Sequence, residues 1–330
     1  MTASMSQCLM QMVRTDYTMA DYQSEIVPRW CTGCGDNAIL AAMQRLCRDE
    51  QLPPEKTVCV SGIGCASRLP HYMNAYGFHG IHGRALPVAE GIKIRRPDLH
   101  VFVTTGDGDC CSIGAAHWLH AVRYNMNMTL LLHDNEVYGL TKKQASPTSP
   151  KGLKSNTTPS GATLNALNPL TVTLGITNVS FVAQAVDWIP DLLYEILSKA
   201  YHHKGFSFIR ILQRCPNFME HRFDDFVRDP SSTRILTHGN GLRLKPELSR
   251  IYKNQQTHDP LDLAEAFTLA RLEHEIPVGI LYNDPSVPCY EELRAGERPS
   301  TPALVETVLN EEFDKVGIWP DAAAAAQIGE

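Results

Sequence analysis

From His100 to Asn135 the chain reads HVFVTTGDGDCCSIGAAHWLHAVRYNMNMTLLLHDN, and few architectures accommodate that order. His100–Thr104 is a run of apolar and β-branched residues, the pattern of a buried strand. Gly106-Asp107-Gly108-Asp109 follows at once. Ser112–Tyr124 carries apolar residues at helical spacing, with small residues at its start. Thr129–His133 is a second apolar strand. Strand, glycine loop, helix and strand in that order make a βαβ unit, which predicts an α/β fold with a mostly parallel sheet and helices on both faces. Ligands of such sheets bind beyond the carboxyl ends of the strands.

The flanking sequence repeats this alternation. Helices are expected over Asn37–Arg48, Arg84–Lys93, Trp188–His202 and Leu261–Leu272. Further strands are expected at Thr57–Val60, Val179–Ala183, Phe206–Leu212 and Val278–Tyr282. Gln144–Thr163 is rich in Ser, Pro, Thr, Gly and Lys and reads as a loop of functional length. Residues 1–28 read as a polar, Met-rich N-terminal arm, 29–220 as the core domain and 221–330 as a less regular C-terminal extension. The Ala-rich stretch Asp321–Glu330 reads as exposed and mobile.

Asp107 stands between two glycines directly after a strand. Its carboxylate can meet a divalent cation there, the glycines permit close backbone approach to a diphosphate, and a following helix N-terminus favours the anion. Magnesium takes oxygen ligands and is commonly shared with phosphates. His133-Asp134-Asn135, at the end of the second strand, offers the complementary oxygen. The turn is neither a dinucleotide fingerprint nor a Walker A loop, since it lacks both the G-x-G-x-x-G spacing and the glycine-lysine-serine/threonine ending. The plainer reading is an acidic turn.

The chain has ten cysteines, too few for a disulfide scaffold. Cys31 and Cys34 form Cys-x-x-Cys, Cys65 follows the strand at Thr57–Val60, and Cys215 follows Phe206–Leu212. Four thiolates on strand-end loops can converge, and the residues alone leave redox thiols, zinc and an iron-sulfur cluster all open. Cys47, Cys59, Cys110 and Cys111 read as packed thiols; Cys8 and Cys289 have no assigned ligand role.

GDG followed after 26 residues by Asn135 resembles the thiamine-diphosphate signature. GDGDCCSIGAAHWLHAVRYN and then HDNEVYGLTKKQASPTSP resemble the beta subunits of 2-oxoacid:ferredoxin oxidoreductases, over roughly residues 25 to 220 and more weakly over 255 to 292. Within that group the similarity is greatest to the enzymes of 2-oxoglutarate. The resemblance implies that Asp107, Asn135 and the Val137 carbonyl hold Mg2+. It implies that Gly64, Cys65, His82, Gly83, Gly106, Gly108, Asp109, Tyr138, Gly139, Leu140 and Thr141 surround thiamine diphosphate; Asp109 has a competing role in orienting the turn. It implies that Cys31, Cys34, Cys65 and Cys215 bind one [4Fe-4S] cluster. His82 and Arg68 become the candidate catalytic contacts, against the plainer readings of an internally satisfied histidine and a structural ion pair. Arg68 and Arg84 offer positive charge for the distal end of a dicarboxylic oxoacid, while Lys142 and Lys143 are read instead as ordering the 2-oxoacid or the diphosphate. Two departures stand out: Lys143, where the family has glycine before Gln144, and Glu90, where it has an uncharged residue.

The implied reaction is coenzyme A-dependent oxidative decarboxylation of 2-oxoglutarate, reversible in principle toward carbon dioxide fixation. The electrons would leave through the cluster to ferredoxin. The implied assembly is an obligate complex with an alpha subunit, which supplies the glutamate that faces the cofactor's aminopyrimidine ring. Pyruvate or a branched-chain oxoacid is the alternative substrate. A nonredox thiamine enzyme and a zinc-stabilised interaction subunit are the alternatives of other classes. A net charge of -6 argues against nucleic acid as partner. No apolar run suggests a membrane span and no secretory signal is evident, so a cytoplasmic location is expected.

Overall fold

The computed structural model describes residues 16–239, 241–242 and 244–295. The first part of the N-terminal arm, with Cys8, and the Ala-rich stretch Asp321–Glu330 lie outside the described residues. The strands are β1 (Thr57–Ser61), β2 (Tyr76–His79), β3 (His100–Gly106), β4 (Met128–Asp134), β5 (Val137–Tyr138), β6 (Gln144–Ala145), β7 (Phe181–Val186), β8 (Phe206–Leu212), β9 (Thr233–Thr237), β10 (Gln255–Thr257) and β11 (Ile276–Asn283). Nine of them form one sheet in the order β10-β9-β11-β7-β8-β4-β3-β1-β2, and β5 pairs with β6 as a separate hairpin. Neighbours in the large sheet run parallel except β11 against β7.

Alternation along the strands explains the layers. Successive side chains of a strand point to opposite faces. On one face Phe102, Leu131, Ala183, Ile209 and Ile211 join a core with Ile39, Met43 and Leu46 of helix Asp36–Asp49 and with Leu193, Ile196 and Leu197 of helix Pro190–His202. On the other face Val101, Val103, Leu130, Leu132 and Phe208 pack with Leu86 and Ala89 of helix Ala85–Arg95 and Trp118 and Val122 of helix Ala115–Tyr124. All seven residues of β4 are buried, as its position between β3 and β8 requires. Burying each such Leu or Phe fully stabilises the fold by roughly 1.5–3 kcal/mol.

Three differences from the sequence reading have physical causes. The sheet continues past residue 220: β9, β10 and β11 extend it, with β11 adding to β7. The expected helix from Ser112 begins instead with a π-helical turn, Asp109–Ile113, closed by Gly114 N–H to Asp109 O at 3.1 Å, and becomes regular only from Ala115. Strand β2 was unforeseen because it lies at the sheet edge with all four residues exposed and so has no alternating pattern. Cys47 and Cys59 are buried in one core, and Cys110 and Cys111 in the other, as packed thiols. No helix among the described residues is long and apolar enough to cross a membrane.

Candidate cofactor and thiol site

The carboxyl ends of β1, β3, β4 and β8 lie side by side, and the chemistry-bearing residues leave the sheet there. One pocket is lined by Gly64, Cys65, His82, Gly106, Asp107, Gly108, Asp109, His133, Asn135, Val137, Tyr138, Gly139, Leu140 and Thr141. It therefore gathers every expected cofactor residue except Gly83. Gly83 stands behind the pocket at φ +67, where an added Cβ would lie 2.5 Å from the Gly114 backbone nitrogen. Gly108 is needed for a different reason. The Tyr138 ring lies against its backbone, an added Cβ would come within 2.3 Å of that ring, and Tyr138 Oη donates to Gly108 O at 2.8 Å.

Asp107 is buried with Thr148 Oγ1 at 2.7 Å, and the same hydroxyl is 2.9 Å from Asp134 Oδ1. One hydroxyl proton serves only one of the two carboxylates. Arg210 neutralises Asp134 at 2.7 Å, and Arg222 pairs with Glu136. Burial first, and then the Asp134 carboxylate, push the Asp107 carboxyl up to about 8. Asp107 thus lacks a positive partner of its own. Asn135 Oδ1 accepts from Val137 N–H at 3.2 Å. The loop expected to be functional closes this site from beneath: Ser146, Thr148 and Ser149 are buried, and Ser149 Oγ donates to Glu136 O.

Asp109 uses its carboxylate within the fold. It accepts from Thr105 Oγ1 at 2.8 Å, Gly83 N–H at 2.7 Å and Ile63 N–H at 3.3 Å. These bonds tie two strand-end loops, after β1 and β2, and the end of β3 to the glycine-acid turn, an arrangement that fits the orienting role considered for it. Behind the pocket, His133 Nδ1 lies 2.7 Å from Asp36 Oδ1, both groups fully buried. His133 Nε2 has no partner among the described residues, and the residue lines the pocket. Sequence reasoning missed this pair, and the only available signal was an acidic residue two positions after Cys34.

A second cavity of about 170 Å³ adjoins the first. Cys31, Cys34, Cys65 and Cys215 all line it, with Trp30, Arg68, Lys142 and Gln213. Two hydrogen bonds stitch its rim together: backbone Gly35 N–H to Arg214 O at 3.1 Å, and the Trp30 indole Nε1–H to Cys65 O at 2.8 Å. Burial, Asp36 and the neighbouring Cys215 and Cys31 push the Cys65 thiol up to about 12. Among the described residues, no three His, Cys, Asp or Glu side chains converge closely enough to chelate a single ion. The two cavities share Cys65, Asn135, Gly139 and Leu140 as a common wall.

The two candidate catalytic contacts separate. His82 is exposed and lines the pocket of the glycine-acid turn. Arg68 lines the thiol cavity, its Nε donating to Tyr72 Oη at 3.0 Å. Arg84 reaches the carbonyls of Gly83 and Ile113. Lys142 and Lys143 both have left-handed backbones, at φ +72 and +70, so Lys143 occupies a conformation suited to the family's glycine. Glu90 is half-buried, burial pushes its carboxyl to about 7, and one of its oxygens has no partner. Nothing in the structure explains its role.

A mostly parallel sheet with a glycine-acid turn and an asparagine at adjacent strand ends is the architecture of a thiamine-diphosphate-binding α/β domain. Residues 62–211 match the family described as thiamine pyrophosphate enzyme, C-terminal TPP binding domain, and residues 248–297 match the C-terminal part of pyruvate ferredoxin oxidoreductase beta subunits. The chain is 37% identical to 2-oxoacid:ferredoxin oxidoreductase 1, subunit beta, of Aeropyrum pernix, spanning 92% of this chain and 93% of that one. It is 44% identical to 2-oxoglutarate oxidoreductase subunit KorB of Mycobacterium tuberculosis over 66% of this chain and 58% of the relative. A solved structure of 2-oxoglutarate:ferredoxin oxidoreductase from Magnetococcus marinus superposes with a TM-score of 0.74 at 34% identity, over 96% of this chain and 97% of that one. The chain belongs to the beta subunits of the 2-oxoacid:ferredoxin oxidoreductases. These are oxidoreductases of class EC 1.2.7.

Proposed function

We propose that this chain is the beta subunit of a 2-oxoglutarate:ferredoxin oxidoreductase, converting 2-oxoglutarate and coenzyme A to succinyl-CoA and carbon dioxide with ferredoxin as electron acceptor. The observation that carries this reading is the common wall between a diphosphate-type pocket and a cavity ringed by four cysteines. Bound thiamine diphosphate supplies the carbon nucleophile and electron sink that the protein's own side chains lack. Asp107, Asn135 Oδ1 and the Val137 carbonyl would hold Mg2+ beside the diphosphate. The buried, unneutralised Asp107 carboxylate fits a cation, and the orphaned His133 Nε2 fits a polar group in the pocket.

Cys31, Cys34, Cys65 and Cys215 would hold a [4Fe-4S] cluster. A single zinc ion bonds sulfur at about 2.3 Å and draws its ligands onto one point. The thiols here instead surround a cavity worth about five waters of liquid volume, which suits a polynuclear group. Arg68 and Lys142 on the cavity wall offer charge for a second carboxylate, and two of the relatives bear the name 2-oxoglutarate. The exposed edge strand β2 carries Tyr76 and Phe78, with Ile81 and His82 beyond it, an apolar rim suited to cover by an alpha subunit.

The test is anaerobic purification with the alpha subunit, followed by cofactor analysis and ferredoxin reduction across a panel of 2-oxoacids with coenzyme A. About four iron and four sulfide, thiamine diphosphate and the highest kcat/KM for 2-oxoglutarate are expected. Zinc without thiamine would make the chain a structural subunit, and preference for pyruvate would overturn the substrate.

A further inference from the structure

The carboxamide of Gln213 touches both proposed centres. Gln213 follows β8 directly, and its N–H donates to Asp134 O at 2.9 Å, continuing the β4–β8 ladder by one rung. Since Leu212 is paired with Asp134, the next rung sets Gln213 beside Asn135. There Asn135 Nδ2 donates to Gln213 Oε1 at 2.9 Å. On its other side Gln213 Nε2 donates to Cys34 Sγ at 3.2 Å and to Arg214 O. The side chain is almost fully buried, and all its polar atoms are engaged. Turning the amide over would set Oε1 against a carbonyl oxygen and a sulfur, and Nε2 against an amide nitrogen. The orientation is therefore settled by its partners.

We propose that Gln213 is a positioning residue that couples the cation site to the cluster site, an inference that rests on the cofactor reading given above. At one end it accepts an N–H of the Asn135 amide, so that Asn135 Oδ1, which accepts from Val137 N–H, faces away from Gln213 and toward the proposed cation. At the other end it gives an N–H to the sulfur of Cys34. Reducing a cluster puts more negative charge on its sulfurs, so an N–H···S bond stabilises the reduced form more than the oxidised one. Gln213 thereby raises the cluster's reduction potential while fixing the amide that holds the cation. The same carboxamide links an atom of each site through two hydrogen bonds.

The experiment uses the complex with the alpha subunit, purified anaerobically, in wild-type, Gln213→Met and Gln213→Glu forms. The cluster midpoint is read by EPR-monitored redox titration, and Mg2+·thiamine diphosphate affinity by calorimetry. Gln213→Met should lower the midpoint and weaken the cofactor severalfold, because both bonds are lost. Gln213→Glu keeps an acceptor for Asn135 but loses the donor to Cys34. It should lower the midpoint while retaining cofactor affinity close to wild type. A Gln213→Met complex with a complete cluster at the wild-type midpoint overturns the proposal. Should the variants fail to assemble a cluster, the wild-type complex labelled with 15N in glutamine side-chain amides answers the question. A 15N hyperfine coupling to the reduced cluster supports the contact, and its absence refutes it. A wild-type complex devoid of iron and sulfide would instead defeat the cofactor reading itself.

Discussion

If Asp107 holds the cation as proposed, cation binding is a proton-exchange reaction. Its carboxyl is raised to about 8 by burial and by Asp134, so at neutral pH the cofactor-free fold holds a proton that the unfolded chain, with an ordinary carboxyl near 4, has released. The sign follows. The raised value contributes stability fully below pH 4, and that contribution is lost as pH rises toward 8. A cation that binds the carboxylate must displace the proton, so its affinity falls as pH drops below 8. Well below pH 8 the slope approaches about tenfold per pH unit, or about 1.4 kcal/mol, and the fall between pH 8 and 6 is roughly fiftyfold. Calorimetric titration of preformed Mg2+·thiamine diphosphate into the cofactor-free complex, at pH 7 in two buffers of different ionisation enthalpy, counts the protons released. Close to one proton per site is expected. Asp107→Asn should abolish the cation-dependent part of binding and leave no pH slope of this size. Zero proton release by the wild type at pH 7, with affinity flat from pH 8 to 6, would refute the argument.

Other perturbations test separate contacts. Gly108→Ala pushes a methyl into the Tyr138 ring and should cost about 1–3 kcal/mol of stability, read as a lowered Tm, with weakened thiamine diphosphate binding. Lys143→Gly relieves a left-handed backbone and should raise stability by about 1 kcal/mol in thermal melts. Cys215→Ser should lower iron and sulfide content while leaving thiamine diphosphate bound, because Cys215 lines only the thiol cavity of the two. Arg68→Met should lower kcat/KM for 2-oxoglutarate at least tenfold more than for pyruvate if the guanidinium meets a distal carboxylate.

The parts of this molecule legible in the sequence are those written as contiguous patterns. The apolar runs of β3, β4 and β8 announce buried strands because both faces are covered, and each was placed within two residues of its ends. Strands β2 and β10 carry no such mark. Each lies at an edge of the sheet, where neither face must be uniformly apolar, and Gln255–Thr257 is wholly polar. The glycine-acid turn and the cysteines stand out because each belongs to a short motif. Gln213 and the Asp36–His133 pair do not, since a single glutamine or histidine at a strand end has no partner until the register is known. Asp109 shows the converse limit: the motif places it beside Asp107, but only the three donors around it reveal that its carboxylate is committed to the loops.

Register also explains why the two cavities meet. β4 lies between β3 and β8, so residues leaving its end touch the glycine-acid turn on one side and Gln213 on the other. Cys65 arrives from β1, on the far side of β3, and must cross the turn to reach the thiol cavity. It does so beside Gly139, where an added Cβ would sit 3.4 Å from the Cys65 sulfur. The backbone that wraps one pocket is thus one methyl's contact distance from a thiol of the other. A sheet that widened this spacing would separate the thiols from the glycine-acid turn. The central strands therefore have a role beyond stability: their close-packed ladder, with β4 wholly buried, sets the distance between the pocket of the glycine-acid turn and the thiol cavity.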